Sequence, residues 1–221
     1  MNSNFVSKLP FWILAFVLSS GVHECAHAWA AYKLGDDTAK RQGRITLNPI
    51  AHVSLSGLIL LIVILSVTQG KFGFGWAKPV PFNEKLLRNP KRDIGLLSLA
   101  GPASNIILSI VIAAIFSVLR PLIGDNEFVV RSFGVFIVMN IILAGFNLAP
   151  LPPLDGSKLL FTLIPIRWLN VYKILYRYGT GILLVLLFTG IGEIVFAIFM
   201  IPIWLMLMAM FCLPIQMFDI F

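Results

Sequence analysis

The residues best equipped for chemistry are His23, Glu24 and His27, spaced as H-E-x-x-H within Gly21-Val22-His23-Glu24-Cys25-Ala26-His27. On a helix, histidines four apart lie about 40° and one turn from each other, so both can hold one metal ion. Glu24 projects about 100° from His23, within reach of a water at that metal but badly placed to be a third ligand. Cys25 points roughly 160° from His23 and is read as packing. Zinc suits imidazole ligands, and a catalytic zinc keeps one position open for water. It lowers the pKa of that water from about 15.7 to about 7 and polarises the carbonyl under attack.

The element that must position this motif is apolar. From Phe11 to Leu34 the residues are hydrophobic apart from a few serines and the motif itself. Ionisable groups in a membrane span are costly and usually functional. Three of them within five residues favour a metal site over a chance pattern.

Composition places that helix among several like it. The 221 residues are 58% hydrophobic and 12% charged, with a mean hydropathy of +0.92. This excludes a soluble domain and suffices for several spans of about 20 residues. The whole chain, 1–221, reads as one all-α polytopic membrane domain, with a catalytic core over about 11–165 and a C-terminal helical hairpin over about 172–214. The net charge of +7 sits in short loops between apolar runs. That is the pattern of the positive-inside bias, so a nucleic-acid partner is not expected. Cys25 and Cys212 lie far apart in apolar segments, and no disulfide is indicated. Ser19-Ser20-Gly21 could pass for a signal-peptide cleavage site, but cutting there would strand the metal motif at a new terminus.

After the first span, Ile45 and Leu47 alternate with Arg44, Thr46 and Asn48, predicting a short strand. His52 follows, and an ordinary loop role is preferred over a metal or substrate contact. Val53 to Gln69 is an apolar run of only 17 residues, and Gly70 to Asp93 is a glycine-, proline- and aromatic-rich interfacial loop. Ile94 to Leu119 is a clear span, whose small residues Ala100 to Asn105 read as close helix packing.

A second chemical centre lies between Phe128 and Gly156. An apolar helix carries Asn140 and Asn147 on one face, then breaks into Pro150-Leu151-Pro152-Pro153-Leu154-Asp155-Gly156. The prolines prevent a regular helix, and broken backbone at membrane depth survives only inside protein or beside a wet cavity. Asp155 can supply the third zinc ligand that two histidines lack. The alternative is that it only caps the segment Ser157 to Leu163. Asn147 offers an amide to an extended substrate or a developing oxyanion.

The paired motifs resemble the site-2 protease family of intramembrane zinc metalloproteases. The resemblance rests on His23-Glu24-x-x-His27, on Asn147-x-x-Pro150-x-Pro152-x-Leu154-Asp155-Gly156, and on Ala100-Gly101-Pro102 between them. Gly43-Arg44-Ile45-Thr46-Leu47-Asn48-Pro49-x-x-His52 and Gly75-Trp76-Ala77-Lys78-Pro79-Val80-Pro81 are similar to a compact bacterial and archaeal branch that carries no PDZ or CBS domain. Ser54 stands where that branch often has an acidic residue. The resemblance implies one Zn2+ held by His23, His27 and Asp155, with Glu24 as general base and Asn147 positioning substrate. It further implies single-span membrane proteins as substrates and a multi-pass location in a bacterial or archaeal cell membrane.

Topology follows from the ligands. If 53–69 crossed fully, the helix leading to Asp155 would run antiparallel to the first, placing Asp155 and the histidines at opposite faces. Three ligands must instead meet about 2 Å from one ion. A re-entrant 53–69 puts 14 of the 17 Lys and Arg on one side, leaving Lys8, Arg120 and Arg131 opposite, as the positive-inside bias prefers. The sequence therefore predicts about five full spans, a re-entrant element, short interfacial β segments and an active site toward the cytoplasm. Two other classes fit the same cluster. A binding or chaperone protein could retain an inert zinc site, and a metal transporter could use intramembrane ligands, though only one cluster and no internal repeat is present.

Overall fold

The computed structural model describes residues 3–68, 73–124, 126–214 and 217. Among these residues the regular structure is helical: α1 (Ser3–Leu34), α2 (Thr38–Arg41), α3 (Leu55–Val67), α4 (Pro90–Ile123), α5 (Glu127–Leu148), α6 (Asp155–Leu163), α7 (Leu169–Phe188) and α8 (Ile191–Phe211). Five of them are long and apolar enough to cross a membrane: α1 over Leu9–Leu34, then α4, α5, α7 and α8. At 1.5 Å per residue the 20 residues of α7 reach about 30 Å, the thickness of the hydrocarbon layer. The 13 residues of α3 reach only about 20 Å, too short to cross it. Residue 69, at the expected end of that run, and residues 70–72 of the next loop lie outside the described residues.

Local chemistry sets the ends of these helices. Gly35, with φ +115°, stops α1 in a conformation that side chains resist. Asp36 then donates its N–H to the Ala31 carbonyl at 2.9 Å. The Asp36 carboxylate accepts the Thr38 amide at 2.9 Å and the Asn83 amide at 2.5 Å, tying the loop after α3 to the end of α1. Burial pushes the Asp36 carboxyl up, but the Thr38 and Asn83 hydrogen bonds outweigh it and hold the group below the ordinary carboxylate range. Ser54 caps α3 by accepting the Gly57 amide.

The expected β segments are not formed, and among the described residues there is no strand. The reason is the fate of their backbone groups. Pro49, Pro79 and Pro81 have no N–H to give. The Lys78 amide bonds the His52 carbonyl, the Val80 amide the Glu24 side chain, and the Lys78 carbonyl the Arg44 side chain, instead of a ladder. The C-terminal hairpin is present with shifted ends: its turn is Thr189–Gly190, and Glu193 lies in the first turn of α8.

Packing arranges the helices around α4 and α5. Phe116 of α4, Ile137 of α5 and Leu207 of α8 centre one apolar cluster. Trp12 of α1, Leu61 of α3 and Val135 of α5 centre a second. Leu154, Leu183 and Phe196 join the broken segment to α7 and α8. Gly57 allows the loop to lie directly on α3, since a Cβ there would stand 2.8 Å from the Trp76 amide nitrogen.

Candidate metal centre

α1 carries His23 and His27 one turn apart, and α6 begins at Asp155, which brings its carboxylate across to them. His23 Nε2 lies 3.2 Å from Asp155 Oδ2, His27 Nε2 lies 3.0 Å from the same oxygen, and the two Nε2 atoms are 3.0 Å apart. All three residues are buried, and together they could hold a metal ion. The capping alternative for Asp155 fails: Leu154 is the N-cap of α6, and it makes no side-chain capping bond.

The outer partners test whether these donors suit a cation. His27 donates Nδ1–H to the Leu97 carbonyl at 2.8 Å, an oxygen that can only accept. His23 donates Nδ1–H to Asn105 Oδ1 at 2.6 Å. The Asn105 amide is oriented by its own NH2, which donates to the Ser19 carbonyl at 3.2 Å and to Asn140 Oδ1 at 2.8 Å. In the neutral tautomers so assigned, both Nε2 atoms carry lone pairs aimed at each other and at a carboxylate oxygen. A cation between them resolves that opposition, and fixing the outer nitrogen is how metal-binding histidines are oriented. Gly101 supplies the space beside them. A Cβ there would collide with His27 Nε2 and lie 2.5 Å from His23 Nε2, so no side chain fits. The donor set fits a zinc ion.

Around this triad opens a cavity of about 770 Å³. Glu24 and Asn147 both line it, with Pro153 and Leu154 of the broken segment on one side and Leu183 of α7 on another. Among the described residues Glu24 makes no ion pair. Its Oε2 accepts the main-chain N–H of Val80 at 3.0 Å. Asn147 donates to the Leu143 carbonyl one turn back, at 2.9 Å. Asn140, on the same helix, is instead wholly buried, donating to Ser19 Oγ at 2.9 Å and to the Phe136 carbonyl at 2.8 Å. Lys158, three residues beyond Asp155, places Nζ 3.2 Å from Asp155 Oδ1.

The structure thus brings together His23, Glu24, His27, Asn147 and Asp155. It leaves His52 out of the cluster: His52 is buried and donates Nε2–H to the Thr46 carbonyl at 2.9 Å. Cys25 is half-buried away from the cluster. Sequence alone places Gly101 and Asn105 among small packing residues and gives Lys158 no role. The role of Asn105 was within reach, because an amide in mid-span needs partners for the same reason a histidine does. The Leu97 carbonyl gives no signal in sequence at all.

Residues 11–187 match the family model for peptidase family M50. A Bacillus subtilis protein provisionally named zinc metalloprotease YwhC is 39% identical over 196 residues, covering 86% of this chain and 85% of that protein. A Methanocaldococcus jannaschii protein, likewise provisionally named a zinc metalloprotease, is 32% identical over 165 residues, covering 71% of this chain and 76% of its own length. The similarly named Rip2 of Mycolicibacterium smegmatis is 30% identical over 160 residues, covering 69% of this chain and 55% of Rip2. No solved structure matches the chain.

Proposed function

The chain belongs to peptidase family M50, the site-2 protease family of membrane metalloproteases, and from that membership we propose that it hydrolyses a peptide bond within or near a transmembrane segment of single-span membrane proteins. The observation that carries this reading is the convergence of His23, His27 and Asp155 beside Glu24, in a cavity between helices of membrane-spanning length.

His23, His27 and Asp155 would hold the zinc ion. When bound, zinc supplies a Lewis acid that polarises the scissile carbonyl and makes water a usable nucleophile at neutral pH. The chain's own residues do the rest. Glu24 takes the proton of the attacking water and returns it to the leaving amine. One carboxylate oxygen faces the Val80 amide, which leaves the other free for water. Asn147 donates its amide to the substrate backbone in place of the Leu143 carbonyl. A substrate helix hides its carbonyls in its own hydrogen bonds, so it must unwind to react. Ala77 lines the cavity and makes no backbone hydrogen bond among the described residues. It is the position we assign to pairing with the unwound strand by strand addition. The distribution of Lys and Arg supports a half-inserted α3 and an active site toward the cytoplasm of a prokaryotic cell.

The test is cleavage of a panel of single-span membrane peptides in detergent, with zinc content measured, for the wild type and Glu24→Gln. The expected result is one zinc per chain in both and cleavage in the wild type only. Zinc bound with no cleavage by either would favour an inert binding protein. A wild type that binds no zinc would sink the assignment of the centre.

A further inference from the structure

The segment Lys78-Pro79-Val80-Pro81 has one N–H among its last three residues, because proline has none. That donor is the Val80 amide, and it is spent on Glu24 Oε2 at 3.0 Å. Lys78 and Val80 each precede a proline, which excludes helical backbone and stiffens the segment. Two buried residues from the loop after α2 hold it. The Lys78 amide donates to the His52 carbonyl at 2.7 Å. The Arg44 guanidinium donates through Nη2 to the Lys78 carbonyl at 2.5 Å and, more distantly, to the Pro79 carbonyl at 3.4 Å. His52 gives Nε2–H to the Thr46 carbonyl, so its Nδ1 lone pair faces Arg44 Nη2 at 3.5 Å. Arg44 is 5% exposed, and among the described residues its Nε has no hydrogen-bond partner. Among the described residues this buried guanidinium makes no ion pair, so its partners are main-chain carbonyls and the His52 ring. Its geometry is the part that is used.

We infer that the Val80 main-chain amide orients Glu24, and that Arg44 and His52 are positioning residues that set this amide against the carboxylate. The inference rests on the reading of Glu24 as the base. It gives a role to the two loop motifs, Gly43 to His52 and Gly75 to Pro81, that the metal centre itself does not use. An unrestrained glutamate samples several rotamers. Fixing one oxygen on a stiff backbone donor leaves the other pointed at the reacting water.

The test uses the full-length, zinc-loaded protein in nanodiscs. One form carries an ester in place of the Val80 amide, which removes the donor and keeps the side chain. It is compared with valine introduced by the same route, and with Arg44→Gln and Glu24→Ala. Deuterium exchange over residues 78–81 reads the Val80 amide against that of Lys78 alone, since positions 79 and 81 carry none. Its exchange is expected to be at least about tenfold faster in Glu24→Ala and in Arg44→Gln than in wild type. The ester and Arg44→Gln are expected to lose about 10–100-fold in kcat, with KM within about twofold and zinc still bound. An ester form as active as wild type, exchange indifferent to Glu24→Ala, or a raised KM with kcat intact would each overturn the inference. Equal cleavage by wild type and Glu24→Gln would instead overturn the reading of Glu24, and the exchange result would stand apart from it.

Discussion

Where α1, α4 and α5 meet, Ser19, Asn105 and Asn140 are wholly buried and bonded to one another, and through Asn105 to His23. Along α7 only Gly179 and Leu183 are buried, and its packing on the broken segment and α8 is apolar. Other residues of α1, α4 and α5 line the same cavity as α7. In a bilayer, apolar packing between helices gains little over packing against lipid, so interhelical polar bonds and close approaches fix geometry. The donor side of the cavity is therefore rigid, while the α7 wall is held by contacts that lipid can replace. Under the proposed function, chemistry would use the first property and admission of a membrane substrate the second.

The largest effect expected on the rigid side comes from His27→Ala, which should take zinc from one per chain to none by metal analysis and abolish cleavage. A glycine from each region sharpens the contrast next. Gly101→Ala puts a methyl group against both Nε2 atoms and should cost at least about 100-fold in zinc affinity by competitive chelation. Gly181→Ala on α7 meets nothing within 4 Å. It should leave zinc affinity unchanged and stability equal or up to about 1 kcal/mol higher. Equal zinc loss in both variants would break the comparison. Asn105→Ala should follow, weakening zinc about 10–100-fold and costing about 1–3 kcal/mol in thermal unfolding as buried partners go unmet.

The smallest effect concerns Asp36, outside the membrane. Its folded pKa lies below the ordinary value, so its contribution is complete above the unfolded pKa of about 4 and is lost as pH falls through the lower, folded one. The melting temperature of wild type should therefore drop more steeply below pH 4 than that of Asp36→Asn. Parallel slopes would show that this tether carries no weight.

The long helices and the triad were legible because hydropathy and the H-E-x-x-H spacing are one-dimensional signals. Asp155 was legible because three prolines around it demanded an explanation. The shortness of α3 followed from counting residues. What escaped depended on atoms that sequence does not display. The strand pattern at Ile45 and Leu47 was real as alternation, but the Thr46 carbonyl between them is taken by His52 and the Asn48 amide by the Thr46 hydroxyl. Gly101 was read as a packing residue, and it is one, though the surfaces it separates are the imidazoles. Asn105 was grouped with its small neighbours, and its distinct role appears only once His23 is placed beside it.

Besides the Asn105 side chain, α4 contributes to the centre through the Leu97 carbonyl and through the hydrogen that stands for a side chain at Gly101. In genetic terms these last two contributions, unlike that of Asn105, are nearly silent to alanine scanning. Leu97→Ala keeps the carbonyl, and a scan that skips glycines never visits position 101. A saturation library would show the opposite profile, with Gly101 intolerant of every replacement and Leu97 refusing only those residues that displace the backbone.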